Sequence, residues 1–73
     1  MKSAHYFVRK DEQHVGPVTR YLDELLDGNV IRSYEIGDTR ISSFMKVSVI
    51  ARTNIPANLD AEMSRLFAVK VNP

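Results

Sequence analysis

Apolar residues along this chain change spacing from segment to segment, and the spacing predicts six elements. Residues 4–10 (Ala4-His5-Tyr6-Phe7-Val8-Arg9-Lys10) are β-prone and read as a strand. Asp11 to Val15 reads as a polar connection. From Gly16 to Gly28 the pattern is helical. Val18, Tyr21, Leu22, Leu25 and Leu26 recur at i, i+3, i+4, i+7 and i+8 and form one apolar stripe. Thr19, Arg20, Asp23, Glu24 and Asp27 cover the other side. Gly16 is suited to the N-cap, and Pro17 to the first helical position, where a missing N–H costs nothing. Gly28, followed by Asn29, is suited to a left-handed helix stop.

Alternation returns after that stop. Val30 to Ile36 reads as a second strand, Gly37-Asp38-Thr39-Arg40 as a turn, and Ile41 to Arg52 as a third strand. The third strand alternates most clearly through Met45, Val47, Val49 and Ala51. The short link between these two strands favours an antiparallel hairpin. Thr53 to Ala57 is a loop, because Pro56 biases Ile55 away from helix. Asn58 is a good N-cap residue, and Leu59, Met63, Leu66 and Phe67 supply the stripe of a second, shorter helix. Ala68 to Val71 reads as a short last strand, completed by a partner if it does not form alone.

The order strand, helix, strand, strand, helix, strand is that of a ferredoxin-like α+β domain. It predicts an antiparallel sheet covered on one face by two helices, with the first and third strands central. Residues 1–73 make one domain, small enough for its stability to be marginal and for dimerisation to help it. Apolar residues at 44% and charged residues at 26% place it among globular rather than disordered chains. With no cysteine, disulfides, thiolate metal sites and thiol nucleophiles are excluded. Together with the absence of a membrane-length apolar run or an apolar leader after Met1, this gives an expected cytoplasmic location and no membrane partner.

Catalytic chemistry has little to work with. Asp11, Glu12 and His14 lie close in sequence, but no second histidine stands at ligand spacing, so no metal is expected. Ser42, Ser43 and Ser48 with His14 and Asp11 contain the residue types of a hydrolase triad, without a nucleophile-elbow context. The three glycines are scattered, so no phosphate loop is present. The expectation is a protein that is not an enzyme and needs no cofactor.

Charge placement is more informative. Seven of the ten basic residues (Arg9, Lys10, Arg32, Arg40, Lys46, Arg52 and Lys70) fall in or beside the predicted strands, while the helices carry Asp23, Glu24, Asp27, Asp60 and Glu62. With Met45, Val47 and Val49 facing the helices, Phe44, Lys46, Ser48, Ile50 and Arg52 face outward. The matching choice turns Arg32 and Tyr34 outward on the second strand. On the first it turns His5, Phe7 and Arg9 outward and leaves Tyr6 and Val8 inside, although Tyr6 and Phe7 are equally plausible core residues. The candidate site is therefore an open sheet face bearing Phe7, Arg9, Arg32, Tyr34, Phe44, Lys46 and Arg52. Such a face suits a protein partner or a second copy of the chain, as in a small regulatory or inhibitory protein. It also suits single-stranded nucleic acid, through stacking rings and cations. The net charge of +1 and pI ≈ 8.1 are modest for that second role.

Two families bear on these readings. The RNA-recognition motif shares the fold, but its third-strand signature wants a glycine and alternating aromatics. Here Ile41-Ser42-Ser43-Phe44-Met45-Lys46-Val47 has no glycine and one aromatic. Over about a third of the chain, the stretch from Phe7 to Val30 resembles an ACT domain, a small regulatory module that binds amino acids at dimer interfaces. Asp11, Gly16, Val18, Tyr21, Leu22, Leu25 and Val30-Ile31 carry the resemblance. It implies an amino-acid-sensing role in which the loop from Asp11 to Gly16 contacts the ligand.

Overall fold

The computed structural model describes residues 2–41 and 43–72. Its elements run β1 (Ser3–Arg9), α1 (Glu12–Asp27), β2 (Ile31–Asp38), β3 (Phe44–Ala51), α2 (Leu59–Arg65) and β4 (Val69–Lys70). The four strands form one antiparallel sheet in the order β2-β3-β1-β4, so the first and third strands are central, as expected. One core joins Tyr6 and Val8 of β1, Val47 and Val49 of β3, Val18 and Leu22 of α1, and Leu59 and Met63 of α2. Both helices therefore pack on the same face of the sheet.

α1 begins a full turn earlier than the sequence predicts. Asp11, not Gly16, is its N-cap, and the Asp11 carboxylate accepts the His14 backbone N–H at 3.0 Å. Gly16 and Pro17 consequently lie inside the helix. Gly16 makes this tolerable, because it has no Cβ to clash with the ring of the following proline. The segment that the ACT resemblance assigns to a ligand loop is thus helical. The apolar stripe is as expected: Val18 and Leu22 are fully buried, with Tyr21, Leu25 and Leu26 packed beside them.

The helix stop also differs. Gly28 has φ −85, and Asn29 takes the left-handed conformation at φ 57. The Asn29 N–H bonds to the Leu26 carbonyl at 3.0 Å and the Val30 N–H to the Leu25 carbonyl at 2.8 Å, which is a Schellman stop with Asn29 in the glycine place. α2 ends in the same way. Phe67 N–H bonds to Ser64 and Ala68 N–H to Met63, both at 2.9 Å, with Phe67 at φ 63. Phe67 is therefore neither helical nor in the core, contrary to its place in the predicted stripe. At the start of α2, Asn58 makes no side-chain cap bond. Its φ of −97 and ψ of 3 are those of the third residue of a type I turn, closed by Leu59 N–H to the Pro56 carbonyl at 3.0 Å.

β2 contains the decisive irregularity. Ile31 stands opposite Ala51 but Ser33 opposite Ile50, so Arg32 is an extra, bulged residue. The bulge reverses the alternation that follows. Tyr34 and Ile36 stand opposite the inward-facing Val49 and Val47, and Ser33, Glu35 and Gly37 share the outer face with Ile50, Ser48 and Lys46. β2 also continues through Gly37 and Asp38, which the sequence reading places in a turn. The connection after it is organised by Thr39, whose hydroxyl lies 2.8 Å from the Ile41 carbonyl, 3.0 Å from that of Phe44 and 3.1 Å from the Ile41 N–H.

β4 has two residues, paired as Tyr6 with Lys70 and Phe7 with Val69. It is anchored through its inner side. The Tyr6 hydroxyl donates to Asp60 Oδ1 at 2.5 Å, and Lys70 Nζ donates to Asp60 Oδ2 at 2.8 Å. One α2 carboxylate thus ties β1, α2 and β4 together. Burial and the Asp60 bond push the Tyr6 hydroxyl well above its usual range, while the Lys70 and Tyr6 bonds hold Asp60 below the usual carboxylate range.

Candidate functional site: the open sheet face

The helix-free face presents, strand by strand, Val69 of β4, then His5, Phe7 and Arg9 of β1, Phe44, Lys46, Ser48 and Ile50 of β3, and Ser33, Glu35 and Gly37 of β2. Phe7 stands directly opposite Lys46, and Arg9 opposite Phe44. Two rings and two cations therefore form a crossed square over the central strands. Lys46 has no ion-pair partner among the described residues. Arg9 Nε lies 3.7 Å from Asp11 Oδ2. Gly37, with open space where a Cβ would stand, leaves a shallow hollow beside Lys46 that Glu35, Asp38 and Ser48 also border.

The structure brings together Phe7, Arg9, Phe44 and Lys46 of the predicted site. It removes Tyr34. The Arg32 bulge turns that side chain to the helix layer, where its hydroxyl donates to Asp23 Oδ1 at 2.5 Å. Arg32 itself is exposed at the bulge on the edge strand, away from the square. Arg52 lies beyond the end of β3 and donates to Asn29 Oδ1 at 3.0 Å, across the α1–β2 connection. Lys10 is tied to Asp38 at 2.7 Å and Lys70 to Asp60. The face is accordingly less cationic and less aromatic than expected.

Its apolar character is greater than expected. Of the four large apolar side chains exposed among the described residues, Ile41 at 54% and Val69 at 63% meet at one corner of this face, and Phe67 at 73% shares a neighbouring hollow with Val69. Ile41 and Val69 line a dent of about 180 Å³ with Phe7 and Phe44, and all four lining residues are apolar. Val69 also borders a second hollow with Asp60, Ser64, Phe67, Ala68 and Lys70. Sequence reasoning missed Val69, Ile41 and Phe67 as surface residues. Phe67 stands four residues after Met63, so periodicity assigns it to the core, and nothing in the pattern announces that the helix stops at Arg65.

Titratable groups pair locally rather than converging on a cleft. His14 Nδ1 donates to Asp11 Oδ1 at 2.6 Å, and this bond holds the Asp11 carboxyl below its usual range. Its ring meets Phe67 edge-on, with centroids 6.0 Å apart and planes at 72°. Ser48 lies near His5 rather than His14: His5 Nδ1 and Ser48 Oγ are 2.8 Å apart, and Ser3 Oγ is 3.3 Å from His5 Nε2. Ser42, another of the candidate hydroxyls, lies outside the described residues. Among the described residues no cluster of three or more histidine or carboxylate side chains is placed to hold a metal ion, and no helix is long and apolar enough to cross a membrane.

The tyrosines give a direct check on this packing. The Asp23 bond and burial push Tyr34 up to about 12, burial and Asp60 push Tyr6 higher, and burial with the Glu62 and Glu24 charges raises Tyr21. These are the only tyrosines in the chain. An absorbance titration of the folded protein is expected to show Tyr6 and Tyr34 un-ionised at pH 10, where a free tyrosine is half ionised, and Tyr21 less than half ionised. A group whose folded value is raised supports the fold below its unfolded value. Stability is therefore expected to hold up to about pH 10 and to fall as the pH rises towards 12. A tyrosinate step of more than one residue near pH 10 in the folded protein would contradict the Tyr6–Asp60 and Tyr34–Asp23 bonds.

Comparison with family models returns no match, and no curated protein and no solved structure matches the chain at a significant level.

Proposed function

We propose that this ferredoxin-like domain is a non-catalytic regulatory module that works by protein–protein contact through its open sheet face. The strand order and the two helices on one face support the fold assignment. One observation carries the functional reading. Two of the four exposed large apolar side chains, Ile41 and Val69, complete a dent with Phe7 and Phe44 on the open face instead of standing singly. Singly scattered apolar residues are ordinary on a protein surface, whereas a contiguous patch with a polar rim marks a contact site. The rim here is Arg9, Lys46, His5 and Ser48, which would choose register and partner more than supply affinity.

The test is a comparison of two variants in quantitative capture from the native host. Phe44→Ser removes a half-buried ring from the patch, and Glu24→Gln alters the far, helical surface. Phe44→Ser is expected to lose a defined set of proteins at least tenfold while Glu24→Gln keeps it. If Phe44→Ser retains the same set while still folded, or if the captured material is nucleic acid that salt releases, the reading fails.

A further inference from the structure

Three features meet at β4. The first is Phe67. It is a bulky residue held at φ 63, where side chains other than glycine are strained, and its ring is 73% exposed. The strain opposes folding, the exposed ring gains little burial beyond its edge contact with His14, and glycine is the usual occupant of that helix-stop position. Strained residues of this kind concentrate at binding sites. The second is the edge itself. β4 ends the sheet and pairs only with β1 among the described residues. Val71 N–H bonds to the His5 carbonyl at 2.8 Å, so by the alternation of the ladder the Lys70 N–H and C=O point away from β1. The third is the arrangement of the two hollows on either side of this edge, which share Val69.

We propose that β4 is a docking edge for an extended segment of a protein partner, which adds as a fifth strand with Phe67 and Val69 as its apolar anchors. This rests on the protein-contact reading above and names its geometry. A second copy of the chain is a poor occupant. Two β4 edges paired symmetrically about Lys70 set like charges directly against each other, a known guard against self-pairing. β2, the other edge, is bulged at Arg32 and carries Glu35 and Asp38. The length agrees: a two-residue strand spans only about 7 Å at ~3.3 Å per residue, which fits a short segment rather than the ~800 Å² per partner of a stable dimer. The hollows define the segment's chemistry. Side chains on its open-face side meet Val69 and, behind it, Phe7. Those on its helix side meet Phe67 and Ala68 together with the Lys70–Asp60 pair and Ser64. The ligand is thus a strand with apolar residues on its open-face side and residues that join an apolar stem to a polar end on its helix side, held through main-chain hydrogen bonds.

The experiment uses a displayed library of random ten-residue peptides selected on the full chain, followed by backbone amide exchange with the best binder. Enriched peptides are expected to carry apolar residues at every second position and to protect the Lys70 amide from exchange. Phe67→Gly separates binding from folding. Relief of the left-handed strain outweighs the added freedom of glycine in the unfolded chain, so Tm is expected to rise by about 2–4 °C, while peptide binding weakens at least tenfold. Enrichment of no peptide overturns the proposal. So does a binder that protects no β4 amide and holds Phe67→Gly as tightly as the parent chain. A sedimentation-detected dimer that Phe67→Gly dissociates would reassign the edge to a second copy. Each of these leaves the broader reading to stand or fall on the Phe44→Ser capture.

Discussion

Asp60→Ala is expected to cost about 2–3 kcal/mol of folding stability. The carboxylate is the shared acceptor of the Tyr6 hydroxyl and the Lys70 ammonium. Tyr6 is fully buried, so removing its acceptor strands a hydroxyl inside the core, a loss of about 1–3 kcal/mol on its own. The released Lys70 adds less, because that pair is about half exposed and screened by solvent. A chain of 73 residues has only about 4–11 kcal/mol in total at ~0.05–0.15 per residue, so the variant loses a large fraction of it. Tyr6→Phe is expected to cost only about 1 kcal/mol, since Asp60 then keeps both Lys70 and water. In the double variant the two losses should not add, because they share one bond. Denaturant unfolding of the three chains measures this.

The same carboxylate predicts an acid response. Asp60 is held below its ordinary value, so it supports the fold above about pH 4 and that support is lost as pH falls through the folded value. Asp60→Asn should flatten this part of the stability–pH curve relative to the parent. Equal acid slopes in the two proteins would show that Asp60 is not held as described.

Pro17→Ala is expected to do the opposite and stabilise the protein by about 2 kcal/mol, which corresponds to a Tm rise of roughly 8–16 °C. Pro17 stands inside α1, beyond its first turn. It cannot donate to the Gln13 carbonyl, and its ring crowds that carbonyl, which costs about 3 kcal/mol in a helix interior. Restriction of the unfolded chain by proline returns up to about 1 kcal/mol of this. Gly16→Ala alone should gain nothing. Its new Cβ would meet both the Pro17 ring and Glu12 Oε1, the latter at 2.6 Å. In the Pro17→Ala background the ring is gone and Glu12 can turn away, so the usual gain of about 0.5–1 kcal/mol should return. Neutral behaviour of Pro17→Ala would mean that the half-buried ring packs more productively than its place in the helix indicates.

Element identity and order were legible because they rest on spacing: the α1 stripe and the β3 alternation of Met45, Val47, Val49 and Ala51 each have one consistent solution. Tyr6 and Phe7 are equally plausible core residues by spacing alone, and it is the pairing of β1 with β3 across the sheet that buries Tyr6. Boundaries were less legible. Proline rules placed the start of α1 at Gly16, but Asp11 provides a better cap, and core burial of the helix outweighs the local cost of Pro17. Asn29 and Phe67 at positive φ were invisible, since neither is the glycine that composition leads one to seek. The candidate site was half legible for a different reason. Phe7, Phe44 and Lys46 follow from alternation, but Tyr34 depends on one irregular residue, and alternation cannot report a place where it is interrupted.

That residue makes position 32 a point where neither the side chain nor the spacing of the chain is tied to the rest of the sheet. Arg32 is exposed, so most replacements there leave the packing of the sheet unchanged. Losing the residue altogether would leave it unchanged as well. Ile31 would still stand opposite Ala51 and Ser33 opposite Ile50, so every side chain from Ser33 to Asp38 keeps its surface and only the bulge disappears. What would carry Glu35 into the layer of Leu22 and Val49 and Tyr34 onto the open face is regular pairing of Arg32 with Ile50. A family descended from this chain would therefore tolerate both drift and loss at this site, a footprint visible as a column that varies freely and gaps without changes around it.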